Sequence, residues 1–154
     1  MPVDNAELLA MMRNRKAATT TLLGLELLAI DAEAGTTRYG MIARPEFCNP
    51  MGNLQGGIIT TALDDAAATA VIARAGRRVG VPTIEFKVSF FAAARMHAQV
   101  FAVGRVIKFG RTIVFAEADL LDDKDKLLAR LSTAVMLVEV EGPGHFVTAE
   151  GNPA

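Results

Sequence analysis

Cysteine, histidine and net charge are all scarce in this chain, and each shortage removes a class of function. The 154 residues include one cysteine, Cys48, so no internal disulfide can form and no Cys-rich zinc pattern exists. Two histidines, His97 and His145, give no basis for a His-based metal site, and no metal is expected. The formal net charge is -1, and basic residues are scattered apart from Arg77 with Arg78 and Lys108 with Arg111. That leaves no electrostatic footprint for nucleic acid. The first residues mix Asp4 and Glu7 with basic side chains and lack an apolar stretch followed by a cleavage site, so no secretory signal is expected. There is no repeat, low-complexity tract or linker, which predicts one domain over 1–154 with a loose tail after about 141.

What is present is material for a core. Hydrophobic residues make up 51% and charged residues 21%, a balance that supports a folded domain rather than a disordered chain. Residues 4–15 place Leu8, Leu9, Met11 and Met12 among charges, predicting a short amphipathic helix. Asp4 is the expected cap, with Glu7 three residues on as in a capping box. Two strands are expected at 22–32 and 36–44, then a loop marked by Pro45, Pro50 and Gly52. A long helix is expected over about 57–75, ended by Gly76. Four further strands are expected, at 82–91, 97–109, 111–122 and 127–140. Hairpin turns at "KFGRT" and "DDKDK" separate the last three. In "TIEFKVSF" the alternation puts Thr83, Glu85, Lys87 and Ser89 on one face and the apolar residues on the other.

A helix that is apolar nearly all round must be wrapped on most sides. The expected fold is therefore α+β: one curved antiparallel sheet of about six strands around a single central helix. Such a sheet leaves an exposed edge, which pairing with a second copy would remove, so a dimer at least is expected. The apolar run approaches membrane-spanning length, but adjacent carboxylates at its centre would be costly in lipid. A soluble, cytoplasmic protein with no membrane partner is the expectation.

Those carboxylates, Asp64 and Asp65, are the chemical puzzle. They sit among Leu63, Ala66 and Ala67, with no Lys or Arg three or four positions away. An unpaired buried carboxylate is costly. Adjacent helical residues point about 100° apart, so the two cannot serve one spot. Either they reach solvent or bond across an interface, or one lies in a cleft with a raised pKa and acts as base or nucleophile. The preceding "NLQGG" leads straight into a helix start, where free backbone N–H groups and the helix dipole could hold a developing oxyanion.

Asn49, Gly52, "QGG" at 55–57 and Asp64 within "ALDDA" together resemble the hotdog-fold acyl-CoA thioesterases of the phenylacetate-degradation (PaaI-like) type. "PTIEFKVSFFAAA", "IKFGRTIVFAEADL" and "LLARLSTAVMLV" extend the resemblance over about 20–140. It implies hydrolysis of an acyl-CoA thioester by a homodimer with no cofactor beyond the coenzyme A of the substrate, and two dimers are expected to pair into a tetramer. It implies that the Gly56 N–H and the Asn49 side chain polarise the carbonyl. Asp64 activates water or attacks directly, and Thr83 orients the water. Gly57, Lys108 and Arg111 are implied to meet coenzyme A. For Asp65 the expectation from the residue itself is a structural role, bonding to backbone near the interface. Gln55 departs from the family's usual His and cannot shuttle a proton near neutral pH. It keeps open a second reading, a non-catalytic acyl-CoA or acyl-ligand binding protein. A hydratase would need a His paired with a carboxylate, a context that neither His97 nor His145 offers. Phe47, Phe90, Phe91 and the Met-rich first helix are candidate linings of an acyl tunnel, or simply core.

Overall fold

A computed structural model describes residues 4–141; the expected loose tail lies outside them. The elements run α1 (Asn5–Asn14), α2 (Ala18–Leu23), β1 (Glu26–Asp31), β2 (Thr36–Ile42), a 3-10 turn (Pro45–Phe47), α3 (Gly56–Ala75), β3 (Val79–Gly80), β4 (Thr83–Phe90), β5 (Gln99–Phe109), β6 (Ile113–Leu121), β7 (Leu127–Met136) and β8 (Val138–Glu139). Six strands form one antiparallel sheet in the order β1-β2-β5-β6-β7-β4, and β3 pairs with β8. The sheet curves around α3, which is the hotdog arrangement.

The helix α3 can lie so close to the sheet because its inner face is mostly alanine. Ala62, Ala66, Ala67, Ala70 and Ala73 are buried there with Leu63 and Val71. A Cβ on Gly104 of β5 would sit 2.1 Å from the Ala66 carbonyl oxygen, so the strand passes directly against the helix backbone. The same carbonyl accepts a 2.8 Å hydrogen bond from Thr37 Oγ1 of β2. By length and composition α3 could cross a membrane, yet its apolar face is the centre of this core. Gly76 ends it in the left-handed conformation, φ 61°.

Three expectations need correction. Residues 22–25 do not begin a strand: α2 occupies 18–23 and ends at Gly24, also left-handed at φ 65°. Its three threonines favour strand by propensity, but Thr20 and Leu23 are buried against the core, and packing overrides so weak a preference. The last strand breaks into β7 and β8. Finally, a register shift between Thr83 and Glu85 interrupts the alternation in β4. It turns Thr83 to the helix side, opposite buried Val135, while Phe86, Val88 and Phe90 keep that side further along.

Asp4 caps α1 by accepting from the Ala6 N–H at 2.8 Å, and Glu7 does not close the box. At the far edge β4 has no second neighbour among the described residues, and Ile84, Phe86 and Phe90 are 51%, 48% and 53% exposed. An unpaired apolar edge of this length is a surface that natural proteins cover.

Candidate active site

The turn before α3 is built by Asn49. Its Oδ1 accepts from the N–H groups of Met51 (3.0 Å) and Asn53 (3.2 Å), and its backbone N–H donates to the Asn53 carbonyl at 2.8 Å. With the oxygen committed to the turn, the side-chain NH₂ is the end left to donate outward. Gln55 is the N-cap residue. Its N–H donates to the Phe47 carbonyl and its own carbonyl accepts from Ile58 and Ile59, while its side chain is exposed and makes no cap bond. The N–H groups of Gly56 and Gly57 have no acceptor among the described residues. They are the free donors expected at a helix start. Phe90 lies over this point: its Cζ would be 3.3 Å from a Cβ at Gly56. A side chain there would close the approach to the N–H pair. From the sequence Phe90 is only one candidate lining residue among several, because its position over Gly56 depends on β4 lying at the sheet edge.

Asp64 sits two turns further along α3, half-buried, on the flank that faces β4. Burial pushes its carboxyl above the ordinary range, and a hydrogen bond from Thr83 partly offsets this. That bond is long, with Thr83 Oγ1 3.5 Å from Asp64 Oδ1. Such contacts in ligand-free sites often tighten only around substrate. The register shift in β4 is what delivers the hydroxyl. We expect Thr83→Ala to leave the fold intact and to move the acid limb of the pH–rate profile to higher pH, because the group that lowers the Asp64 pKa is gone. An unmoved limb would detach Thr83 from Asp64.

Asp65 faces the other way. It accepts from Thr20 Oγ1 of α2 at 3.1 Å rather than from backbone near the β4 edge. Burial raises its pKa most; Thr20 lowers it and the Asp64 charge raises it further.

The geometry divides the predicted residues into separated groups. Asn49, Gln55, Gly56 and Gly57 lie at the N-terminus of α3. Asp64 and Thr83 lie eight residues along, about 12 Å of axial rise at ~1.5 Å per residue. Lys108 and Arg111, both exposed, flank the tip of the β5–β6 hairpin. That region adjoins the C-terminal end of α3, where Arg74 lies over the Phe109 ring. One carbonyl group cannot touch both the Gly56 N–H and Asp64 of the same chain. His97 is exposed in a tight turn at φ 68°, and Cys48 Sγ lies 3.4 Å from the Arg44 carbonyl; neither is hydrogen-bonded to Asp64.

This fold and this helix-start motif have known counterparts. A model of the thioesterase superfamily matches residues 51–129, just over half of the chain, which therefore belongs to that family. As an enzyme it is a thioester hydrolase. Human acyl-coenzyme A thioesterase 13 is 24% identical over 106 residues, covering 68% of this chain and 75% of that protein. Among solved structures, a phenylacetic acid degradation-related protein from Ralstonia eutropha JMP134 is 28% identical with a TM-score of 0.75, covering 83% of this chain and 98% of that one. The PaaI protein of E. coli is 16% identical with a TM-score of 0.74, covering 90% and 92%. A Streptococcus mutans UA159 protein bound to acetyl CoA shares the fold at 14% identity and a TM-score of 0.69, covering 77% and 91%.

Proposed function

We propose that this chain is an acyl-CoA thioesterase whose active site is shared between two copies. The observation that carries the reading is the separation just described: free N–H donors at Gly56 and Gly57, and a half-buried carboxylate at Asp64 eight residues away on the same helix. Two chains related by a twofold axis along the exposed β4 edge would run their α3 helices antiparallel. The helix start of one copy then meets Asp64 of the other. The same operation carries Lys108 and Arg111 toward the neighbouring helix start, where they would meet the phosphates of coenzyme A.

In this arrangement the Gly56 N–H and the Asn49 side-chain amide hold the thioester oxygen, and Asp64 acts on the carbonyl carbon. As a base it takes a proton from water while the hydroxyl adds to carbon. The tetrahedral oxyanion then collapses, the C–S bond breaks, and the thiolate leaves and takes up a proton. As a nucleophile it forms an anhydride that water opens. Either way the leaving thiol has a pKa near 8.5, so expulsion needs little acid help. That is why Gln55 is compatible with turnover. Ile113, Phe115 and Met136 on the outer face of the sheet, each more than 40% exposed, offer a surface on which two dimers would pair.

Mixing two inactive variants tests the sharing. Asp64→Asn removes the carboxylate, and Gly56→Val blocks the helix start beneath Phe90. Co-refolded in equal amounts, they should regain about a quarter of wild-type thiol release from acyl-CoA, since half of the dimers carry one intact site. No recovery, with both variants folded, would place the site within one chain or dismiss it. The binding-only reading, motivated by Gln55, predicts ligand heat in calorimetry and no multiple turnover by the wild type.

A further inference from the structure

The flank of α3 turned away from Asp64 borders a groove that side chains leave unfilled. α1 is pinned along β1 by polar bonds: Arg13 Nε donates to the Leu27 carbonyl at 2.8 Å, and the Ala32 N–H donates to Asn5 Oδ1 at 3.0 Å. No residue of α1 is fully buried. Between it and the second half of α3 lie two adjoining compartments that share Met12, Arg15 and Ile72 in their walls. The larger, about 320 Å³, is walled mostly by apolar residues of α1 and of the end of α3, with Arg15, Arg77 and Arg78 also in its lining. The smaller, about 170 Å³, is polar at its floor. There Tyr39 Oη and Thr69 Oγ1 are 2.9 Å apart, and Thr20 donates to Asp65. Arg15 and Lys16 stand at its rim with no side-chain acceptor among the described residues.

A mostly apolar trough with arginines in its wall, ending in a polar recess under Arg15 and Lys16, has the chemistry of a site for an anionic amphiphile. We propose that the α1–α3 groove binds a medium-chain carboxylate, its head group held at Arg15 and Lys16 and its hydrocarbon tail laid between Met12 and Ile72 toward Val79. Asp65 decides between head groups. A dianionic phosphate would meet a second negative charge in the recess. A monoanionic carboxylate meets less repulsion from Asp65, whose carboxyl burial shifts upward from its ordinary value. The volume decides the tail: about 320 Å³ is at the lower end of small-ligand pockets, too little for a long chain. The site is separate from the thioester cleft, since Asp65 faces α2 and β2 while Asp64 faces β4, two strands at different sides of the sheet.

Calorimetric titration of the full chain with decanoate tests this, and it does not depend on hydrolysis. Saturable binding is expected, retained in Asp64→Asn and in the presence of saturating coenzyme A. Ile72→Trp, which fills the trough, should weaken it at least tenfold while acyl-CoA hydrolysis persists. The double variant Arg15→Glu/Lys16→Glu, confined to the rim, should weaken it comparably and serves should the Trp variant fail to fold. Decanol, lacking the charge, should bind at least tenfold more weakly than decanoate. Absence of saturable binding would overturn the site. So would displacement by coenzyme A, or equal affinity of decanol and decanoate.

Discussion

Asp64→Asn is expected to lower kcat for acyl-CoA hydrolysis by about 10²–10⁴-fold, the range a positioned base or nucleophile contributes. Asparagine keeps the size and polarity of the side chain, so substrate should still bind and KM should move little. The wild-type rate should rise with pH through the pKa of Asp64, which burial sets above the ordinary carboxylate value. The residual activity of the variant should lose that limb. The same substitution carries a stability prediction of opposite sign. A carboxyl whose folded pKa is raised stabilises the fold below its unfolded pKa, and that contribution is lost as pH rises through the folded pKa. At neutral pH the ionised form of Asp64 is therefore held against its desolvation. Asp64→Asn should raise the urea midpoint at pH 7, and the gain should vanish in acid. Equal rates for wild type and variant would remove Asp64 from the chemistry.

Gly104→Val is expected to destabilise the fold by about 3 kcal/mol or more, with no direct role for Gly104 in the site. Its new Cβ would lie 2.1 Å from the Ala66 oxygen, 2.4 Å from the Ala66 carbonyl carbon and 2.8 Å from Thr37 Oγ1. The first two are backbone atoms of the central helix and cannot swing aside as a side-chain end would. To admit the methyl groups, α3 must lift off β5, and the bond from Thr37 to Ala66 is lost with it. The alanine face of α3 then no longer meets the sheet. Urea denaturation of soluble protein measures the effect. A substitution at Gly57 is the comparison, because nothing lies within 4 Å of a Cβ there. In that open first turn, Gly57→Ala should be neutral or stabilising by up to about 1 kcal/mol. A mild Gly104→Val, within about 0.5 kcal/mol of wild type, would mean the helix and sheet are not held in this contact.

Much of the architecture was legible because its signals are local. The long helix announced itself by an apolar run that starts after Gly-Gly and stops at Gly76, and α3 occupies 56–75. The hairpins followed from their turn residues. Asp122 Oδ1 accepts from the N–H groups of Lys124 and Lys126, and the Gly110 N–H donates to the Ile113 carbonyl. The separation of Gly56 and Asp64 is also a property of the chain, since both lie on one continuous helix whose rise sets it.

What the sequence could not carry depends on which strand lies beside which. That α2 is helical rests on Leu23 being buried and on Thr20 meeting a carboxylate 45 positions away. That Thr83 reaches Asp64 rests on a register shift against β7, which the alternation in "TIEFKVSF" conceals. That Asp64 and Asp65 have opposite surroundings rests on β4 closing one end of the sheet while β2 lies near the other. Sequence by itself determined the central helix, the main strands of the sheet, the helix-start motif and the one carboxylate in register with it, because these depend on neighbours along the chain. Tertiary structure alone decided which side of the central helix each carboxylate serves and where the unfilled groove lies, because those depend on contacts between segments whose pairing no local pattern encodes.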